Sequence, residues 1–230
     1  SMVLGRQEGL ALALRRVFTG SLTARIGLAG TASVLVAVGI VGVLEYREAR
    51  GELINRLRDT LLTAVEVGAH QLSPADHRSV ALSQDAASPE FQRLRASLRQ
   101  IKAAARLSSP IYTFRRDGRL ARFVAMTHED PFIGDPNELR PALRASFEAA
   151  SAGFEGPYSN ATGTWLSAWA PIVDEAGVAG MVQADFEVGA LLERLANTAL
   201  RQLLFALAGV CVAFLLALYL ARNIARPIRA

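Results

Sequence analysis

The chain has 230 residues, a formal net charge of +4 and a single cysteine, Cys211. One cysteine excludes an intrachain disulfide, so any folded domain must rest on an ordinary apolar core. The positive charge raises the question of a nucleic-acid partner, but its distribution argues against one. Residues 45–201 hold 18 basic and 20 acidic side chains and show no basic patch. The excess lies at the two ends, where Arg6, Arg15, Arg16, Arg25, Arg222, Arg226 and Arg229 face one acid, Glu8.

In chain order, residues 1–25 place Leu4, Leu10, Leu12, Leu14, Val17 and Phe18 among arginines. That pattern suits either an amphipathic helix on an anionic membrane face or a cytoplasmic tail. Residues 26–44 then run for 19 positions without a charge, as do residues 203–221. At 1.5 Å per residue each would be about 28 Å long, close to the roughly 30 Å hydrocarbon core of a bilayer. The first run is longer than a secretory h-region and has no clear cleavage site, which predicts an uncleaved anchor. Basic flanks outside both runs predict cytoplasmic termini and an external middle, the positive-inside arrangement of a two-pass inner-membrane protein. Neither run contains an ionisable side chain of the kind that marks an ion or proton pathway.

Beyond the first run a helical pattern continues to about Leu72. Ile54, Leu57, Leu61, Ala64 and Gly68 form a 3-4-3-4 seam, suited to burial against the domain's own sheet or against the same helix of a second subunit in a parallel homodimer. A second helix is predicted over 89–107, opened by Ser88 with Pro89 in its first turn. Residues 111–114 and 120–127 read as a hairpin closed by Arg116-Asp117-Gly118-Arg119. A turn-rich loop follows at 128–136, then a short helix over 137–150 with Pro141 in its first turn. After Gly156-Pro157-Tyr158, residues 164–173 and 178–187 form another hairpin, and a helix leads from Val188 into the second apolar run. The expected fold class is α+β, an antiparallel sheet packed on a long N-terminal helix and flanked by two transmembrane helices.

Three segments carry a family resemblance: Gly156-Pro157-Tyr158, Gly163-Thr164-Trp165-Leu166-Ser167-Ala168-Trp169-Ala170-Pro171-Ile172, and Gly180-Met181-Val182-Gln183-Ala184-Asp185. Together they resemble the second half of a Cache domain, the PAS-like extracellular sensor of bacterial chemoreceptors, kinases and cyclases. The hairpin from Ile111 and the Asp130-Pro131-Phe132-Ile133-Gly134-Asp135 loop fit the same pattern. One sheet implies the single-unit form. Ala221-Arg222-Asn223-Ile224-Ala225-Arg226-Pro227-Ile228 resembles the opening of a HAMP linker, which implies a missing cytoplasmic output domain. The implied layout is a cytoplasmic segment (1–25), a first span (26–44), a periplasmic sensor (45–201), a second span (203–221) and a linker start (222–230).

Strand alternation sorts the candidate ligand residues. Trp165, Ser167 and Trp169 share one face, and Leu166, Ala168, Ala170 and Ile172 share the other. The apolar set suits packing on the entry helix; the mixed set suits a small-molecule pocket. On the next strand Asp185 falls on the polar-bearing face, and the resemblance implies that it binds a ligand amine. Tyr158, Tyr112 and His128 complete the candidates. Each has an ordinary reading too: the tryptophans as core, Asp185 as a loop cap or partner of an arginine such as Arg122, Tyr158 as part of a turn. Arg115, Arg116, Arg119, Arg122 and Arg140 would admit a carboxylate, so an amino acid or carboxylate is the expected ligand class.

Pro74 separates His70 from His77, and the acids at 129, 130 and 135 lack calcium-loop spacing, so neither a metal nor another cofactor is expected. No catalytic or phosphate-binding motif is present, so no enzymatic activity is expected. The expected function is a receptor input module that senses a small molecule outside the membrane and relays the signal across it. The alternative is a ligand-free module that dimerises or docks a periplasmic protein; a deep pocket at the Trp165/Ser167/Trp169 face favours the first and a filled face the second.

Overall fold

The computed structural model describes the backbone of residues 22–224 and the side chains of 27–220. The leucine- and arginine-rich segment before residue 22 and the Pro227 linker motif lie outside the described residues. The chain divides into two compact units, one formed by residues up to 49 and from 194 onward, the other by residues 50–193.

Helix α1 (Leu22–Gln71) belongs in part to each unit. It contains no proline and ends just before Pro74, whose ring disfavours helical backbone in the residue before it. Ser73 caps the next helix, α2 (Pro74–Ser83), by accepting the Asp76 N–H at 3.2 Å. Helix α3 (Pro89–Ala104) starts in the same way, with Ser88 accepting the Phe91 N–H at 3.2 Å. Phe91, Leu94, Leu98 and Ile101, spaced three and four apart, are its buried stripe.

Six strands follow around a short helix. They are β1 (Ile111–Asp117), β2 (Leu120–Met126), β3 (Pro136–Glu138), helix α4 (Pro141–Ala149), β4 (Gly153–Asn160), β5 (Gly163–Asp174) and β6 (Gly177–Glu187). The last helix is α5 (Gly189–Ile224). The strands form one antiparallel sheet in the order β3-β2-β1-β6-β5-β4, so the first and last hairpins meet where β1 pairs β6. The fold is therefore α+β, with its sheet on the long N-terminal helix. Three elements differ from the sequence reading, one of them the strand β4 over Gly153–Asn160, where only a lead-in to the last hairpin was expected. Residues 74–83 form α2, and residues 136–138 pair with β2 as β3, so the helix expected from Asn137 starts only at Pro141. Proline at the first helical position accounts for the later start.

The two sheet faces do different work. Leu166, Ala168, Ala170, Ile172, Val182 and Ala184 pack with Leu61, Ala64 and Val65 of α1 and with the buried stripe of α3. The α1 seam is thus consumed inside its own unit: Leu61 and Ala64 are buried, and Ile54 and Leu57 pack against the same core. Gly68 admits the Ile101 side chain, which would stand 2.9 Å from an added Cβ. His77 of α2 is fully buried and presses on Gly180, and both its ring nitrogens lack a hydrogen-bond partner. Burial lowers its pKa to about 4 and keeps it neutral. On the opposite face a smaller cluster joins Leu143 and Phe147 of α4 to Phe114, Trp169 and Met181.

In the other unit, α1 and α5 leave a groove of about 760 Å³ lined in part by Val38, Gly42, Thr198 and Leu203. Both helices are long and apolar enough to cross a membrane, and their apolar stretches are not buried against protein. Val36, Ile40 and Phe205 are 62%, 56% and 72% exposed, which water would penalise.

A bulge in β4 decides what the second face carries. Glu155 lies opposite Ser167 and Tyr158 opposite Trp165, so three steps on β4 match two on β5. The extra residue turns Tyr158 onto the same face as Glu155. Gly156 makes this possible at φ +126°, and an added Cβ would stand 2.7 Å from the Trp165 carbonyl oxygen. Gly156→Ala should therefore cost about 2 kcal/mol or more, read as a lower thermal midpoint of the full chain. An unchanged midpoint would contradict this account of the bulge.

Candidate functional site

Cross-strand register gathers the polar side chains of the second face. Ser167 lies opposite Asp185 and Trp169 opposite Gln183, while Tyr112 of β1 faces Gln183 from the other side. These residues alternate with the apolar set because successive strand side chains point to opposite faces.

Asp185 is the centre of the hydrogen bonding. The Ser167 hydroxyl donates to its Oδ1 at 2.6 Å, and Gln183 Nε2 donates to the same oxygen at 2.9 Å. Ser167 has one proton, so when it serves Asp185 the Tyr158 hydroxyl donates to Ser167 Oγ at 2.8 Å. The relay runs Tyr158 to Ser167 to Asp185. Asp185 Oδ2 has no hydrogen-bond partner among the described residues. The residue is half-buried, with Oδ2 open to solvent, and the partial burial of the carboxyl pushes its pKa up to about 7.

The cation beside Tyr158 is already engaged. Arg140, at the start of α4, stands 3.3 Å from Glu155 Oε2 and 4.1 Å above the Tyr158 ring. Gln183 is 2% exposed, and its Oε1 is buried without a partner. An aromatic wall continues the face. Tyr112 makes edge contacts with Phe114 and Phe123 at 5.2 and 5.3 Å, and Phe123 packs on Phe132 at 4.7 Å. A carboxylate, an amide oxygen and ring faces make a surface suited to a hydrogen-bond donor or cation joined to an apolar body.

The structure thus brings Tyr158, Ser167 and Asp185 into one network and places Tyr112 on the same face across Gln183. Trp169 shares the face but lies under α4, 1% exposed, with its Nε1 beside Ser146 and Gly153. Trp165 lies at the edge, where its Nε1 donates to Asn160 Oδ1 in the β4–β5 turn. His128 is outside the hydrogen-bond network but borders the Phe132 end of the aromatic wall: it is exposed, its Nδ1 meets Asp130 of its own loop, and its ring contacts Phe132. Arg122 is not the partner of Asp185, since it binds Asp117 at 2.5 Å and the Gly134 carbonyl at 2.8 Å.

Four residues of this face were not among the sequence candidates. Gln183 was visible from strand alternation alone, being two residues before Asp185. Glu155 could not be placed without the bulge, and Phe123 and Phe132 could not be placed without the β2 register and the loop path. Among the described residues, no three His, Cys, Asp or Glu side chains converge on one point. Two grooves of this unit lie elsewhere, one between α1 and α3 and one at the end of α3.

Two groups predict opposite pH dependences. Asp185 has a folded pKa near 7, above its ordinary 3.8, so its contribution is full at low pH and is lost as pH rises through 7. His77 has a folded pKa near 4, below its ordinary 6.5, so its contribution is full above 6.5 and is lost as pH falls through 4. The slopes oppose each other between about 4 and 6.5. Asp185→Asn should leave the His77 slope alone, so that stability rises with pH across that window in thermal unfolding. It should also make the protein more stable than the parent at pH 8. A variant with the parent's pH profile would mean that the carboxyl is hydrated.

No family model matches the chain, and no curated protein sequence matches it. Among solved structures it is similar to the sensor domain of the Vibrio cholerae histidine kinase DctB, at 16% identity and a TM-score of 0.43, covering 76% of this chain and 60% of that one. The ligand-binding domain of the Pseudomonas aeruginosa amino acid chemoreceptor PctC, solved with GABA, gives 18% and 0.43, with 70% and 64% covered. That of the Pseudomonas fluorescens chemoreceptor CtaA, solved with L-isoleucine, gives 13% and 0.33, with 64% and 61% covered. The chain spans about three fifths of the length of these structures. TM-scores below 0.5 establish neither family nor ligand.

Proposed function

We propose that this chain is the input module of a membrane receptor, and that the Asp185 face of its sheet binds a small organic molecule bearing a protonated amine. The observation that carries the reading is a half-buried carboxyl with one oxygen held by Ser167 and Gln183 and the other free and open to the face. An ammonium at Oδ2 would complete the carboxylate's hydrogen bonding and favour its ionised form. The aromatic wall of Tyr112, Phe123 and Phe132 would take the apolar part of the ligand. Arg140 could turn from Glu155 to a ligand carboxylate, which would admit an amino acid.

In this reading residues 26–44 and 203–221 cross a bacterial inner membrane, residues 45–201 form a single Cache-like periplasmic sensor, and residues 222–230 begin a HAMP-type linker with both termini cytoplasmic. The apolar, unburied stretches of α1 and α5 support the membrane assignment. A parallel homodimer along α1 would use the exposed Thr60, Thr63 and Val67, because Ile54, Leu57, Leu61 and Ala64 are packed inside. The relay begins locally. Asp185 lies three residues before Val188, which is buried and donates its N–H to the Thr164 carbonyl at 2.8 Å just where α5 starts. A ligand that binds one arrangement of β6 better than another shifts the helix start with it, and only by that difference in affinity.

A second reading, a ligand-free module that docks a protein, is favoured by one observation. Ser167, Trp169 and Gln183 fill much of the face, and a groove of about 660 Å³ opens instead between α1 and α3 beside Val67 and Ala104.

The deciding experiment is a thermal-shift screen of the full chain in neutral lipid nanodiscs, read by tryptophan fluorescence, against primary amines, amino acids and carboxylic acids. An amine at 100 times its dissociation constant should add about 2.7 kcal/mol. Because an ammonium needs the carboxylate, apparent affinity should fall about tenfold per pH unit below 7. Asp185→Asn should abolish the shift. If no amine-bearing compound stabilises the chain, or if the variant responds equally, the amine reading is lost.

A further inference from the structure

We propose that α2 is an acid-released latch: the helix docks on the sheet through the neutral ring of His77, and protonation of that ring undocks the helix while the sheet and α3 stay folded. The device lies on the apolar side of the sheet, shares no residue with the Asp185 network and does not depend on the amine reading.

Three observations converge. The first is the anchor. Helix α2 buries only His77, Val80 and Ala81, spaced three and four apart on one face, and the ring is the largest of the three. His77 is the one fully buried titratable side chain among the described residues, and neither ring nitrogen has a partner. The ring lies so close to Gly180 of β6 that an added Cβ there would stand 2.8 Å from Nε2. An aliphatic residue would dock the helix without two unmet nitrogens, so packing alone does not explain a histidine. The second observation is the tethering. Arg93 of α3 grips Asp76 of α2 with two hydrogen bonds of 2.9 Å, and Arg78 of α2 grips Asp174 of β5 with two more. Among the described residues these are the only arginine–carboxylate pairs joined twice, and both bind α2. The third is the charge around the ring. Arg78 and Arg115 oppose a proton on it, and the acids Asp76 and Asp174 are already paired. On β2 the one charged side chain is Arg122, held by Asp117 and the Gly134 carbonyl, and on β6 Asp185 and Glu187 belong to the opposite face. An imidazolium at this site has no free carboxylate.

The pH window follows from the docked and undocked rings. Docked, burial above all, with Arg78 and Arg115 adding to it, lowers the His77 pKa to about 4. The Ala179 carbonyl pulls the other way without meeting hydrogen-bond geometry. Undocked, the ring is hydrated and returns to its ordinary 6.5. Docking is therefore at full strength above 6.5, and the ratio of docked to undocked helix falls about tenfold per pH unit from there to 4, about 300-fold in all. Arg93 and Arg78 hold the Asp76 and Asp174 carboxyls below their ordinary range, so the tethers outlast that window and weaken only below it. With three buried side chains, α2 has few contacts of its own to resist opening. Its release reaches further along the sheet. Gly180 lies on β6 five residues before Asp185, and Gln84 at the end of α2 packs on Gly134 in the loop that carries Phe132. Acidity thus loosens two supports of the polar face by a route separate from any ligand.

The test is amide hydrogen exchange of the full chain in neutral nanodiscs, resolved by peptide and expressed at each pH as protection relative to the intrinsic rate. In the parent, protection of α2 should fall about tenfold per pH unit between 6.5 and 4, while α3 and β5 keep theirs. His77→Leu should flatten the α2 profile across that window, and His77→Gln, which keeps a neutral polar side chain, should do the same. Asp174→Asn should lower α2 protection at neutral pH by loss of a tether, yet keep the parent's slope. Asp185→Asn should also keep that slope, so the outcome is separable from the amine reading. The proposal is overturned if α2 loses protection only together with α3, if its protection does not change with pH, or if either His77 variant retains the parent's slope.

Discussion

A carboxyl half-buried on a sheet face without a paired cation poses a problem that the rest of this sheet is arranged to hold. Ionised, the half-buried Asp185 would lose part of its hydration and have only two protein donors, Ser167 and Gln183, on a single oxygen. Such an ion is costly to bury, and the group keeps its proton instead. Arg140, which lies over the Tyr158 ring, is paired with Glu155. The carboxyl is therefore poised between two states near neutral pH, and a positively charged group arriving at Oδ2 would tip it. Poise of this kind suits detection better than tight structural pairing.

What makes the arrangement tolerable is the division of labour between the two sheet faces. The face on α1 and α3 is apolar throughout, with Leu166, Ala168, Ala170, Ile172 and Val182 in the core, and it carries the stability. The opposite face is covered at one end by α4 over Trp169 and left more open toward Tyr158, Tyr112 and Asp185. The β1–β6 pairing sets Tyr112 beside Gln183, so the face is built from both hairpins. The β4 bulge adds Tyr158. Because β6 passes into α5 three residues beyond Asp185, the polar face and the start of the exit helix are parts of one strand-to-helix segment.

Much of this was legible in the residues. The alternation of Trp165, Ser167 and Trp169 with Leu166, Ala168 and Ala170 fixed which face is apolar, and Ser88-Pro89 marked the start of α3 to the residue. Helix α2 was hidden because Pro74 and the polar run after it look like loop, and only the Ser73 cap betrays it. Strand β3 is three residues long and starts with a proline, too short for any periodicity. The α1 seam allowed two partners, and only the packing shows that Leu61 and Ala64 are spent on the sheet. The site was legible where it follows strand alternation, as at Ser167 and Asp185. It was not legible where a bulge or loop path decides, as at Glu155 and Phe132. Trp165 and Trp169 look equivalent in sequence, but α4 buries one and leaves the other at a turn.

The most direct test of the central claim is the titration of the Asp185 carboxyl itself, followed by carbon-13 NMR in the full chain in neutral nanodiscs with Asp185→Asn to assign the signal. The account predicts a midpoint near 7 that falls once a stabilising amine is added. A midpoint near 4 in the free protein would mean that the carboxyl is hydrated and ionised throughout, and would contradict the account.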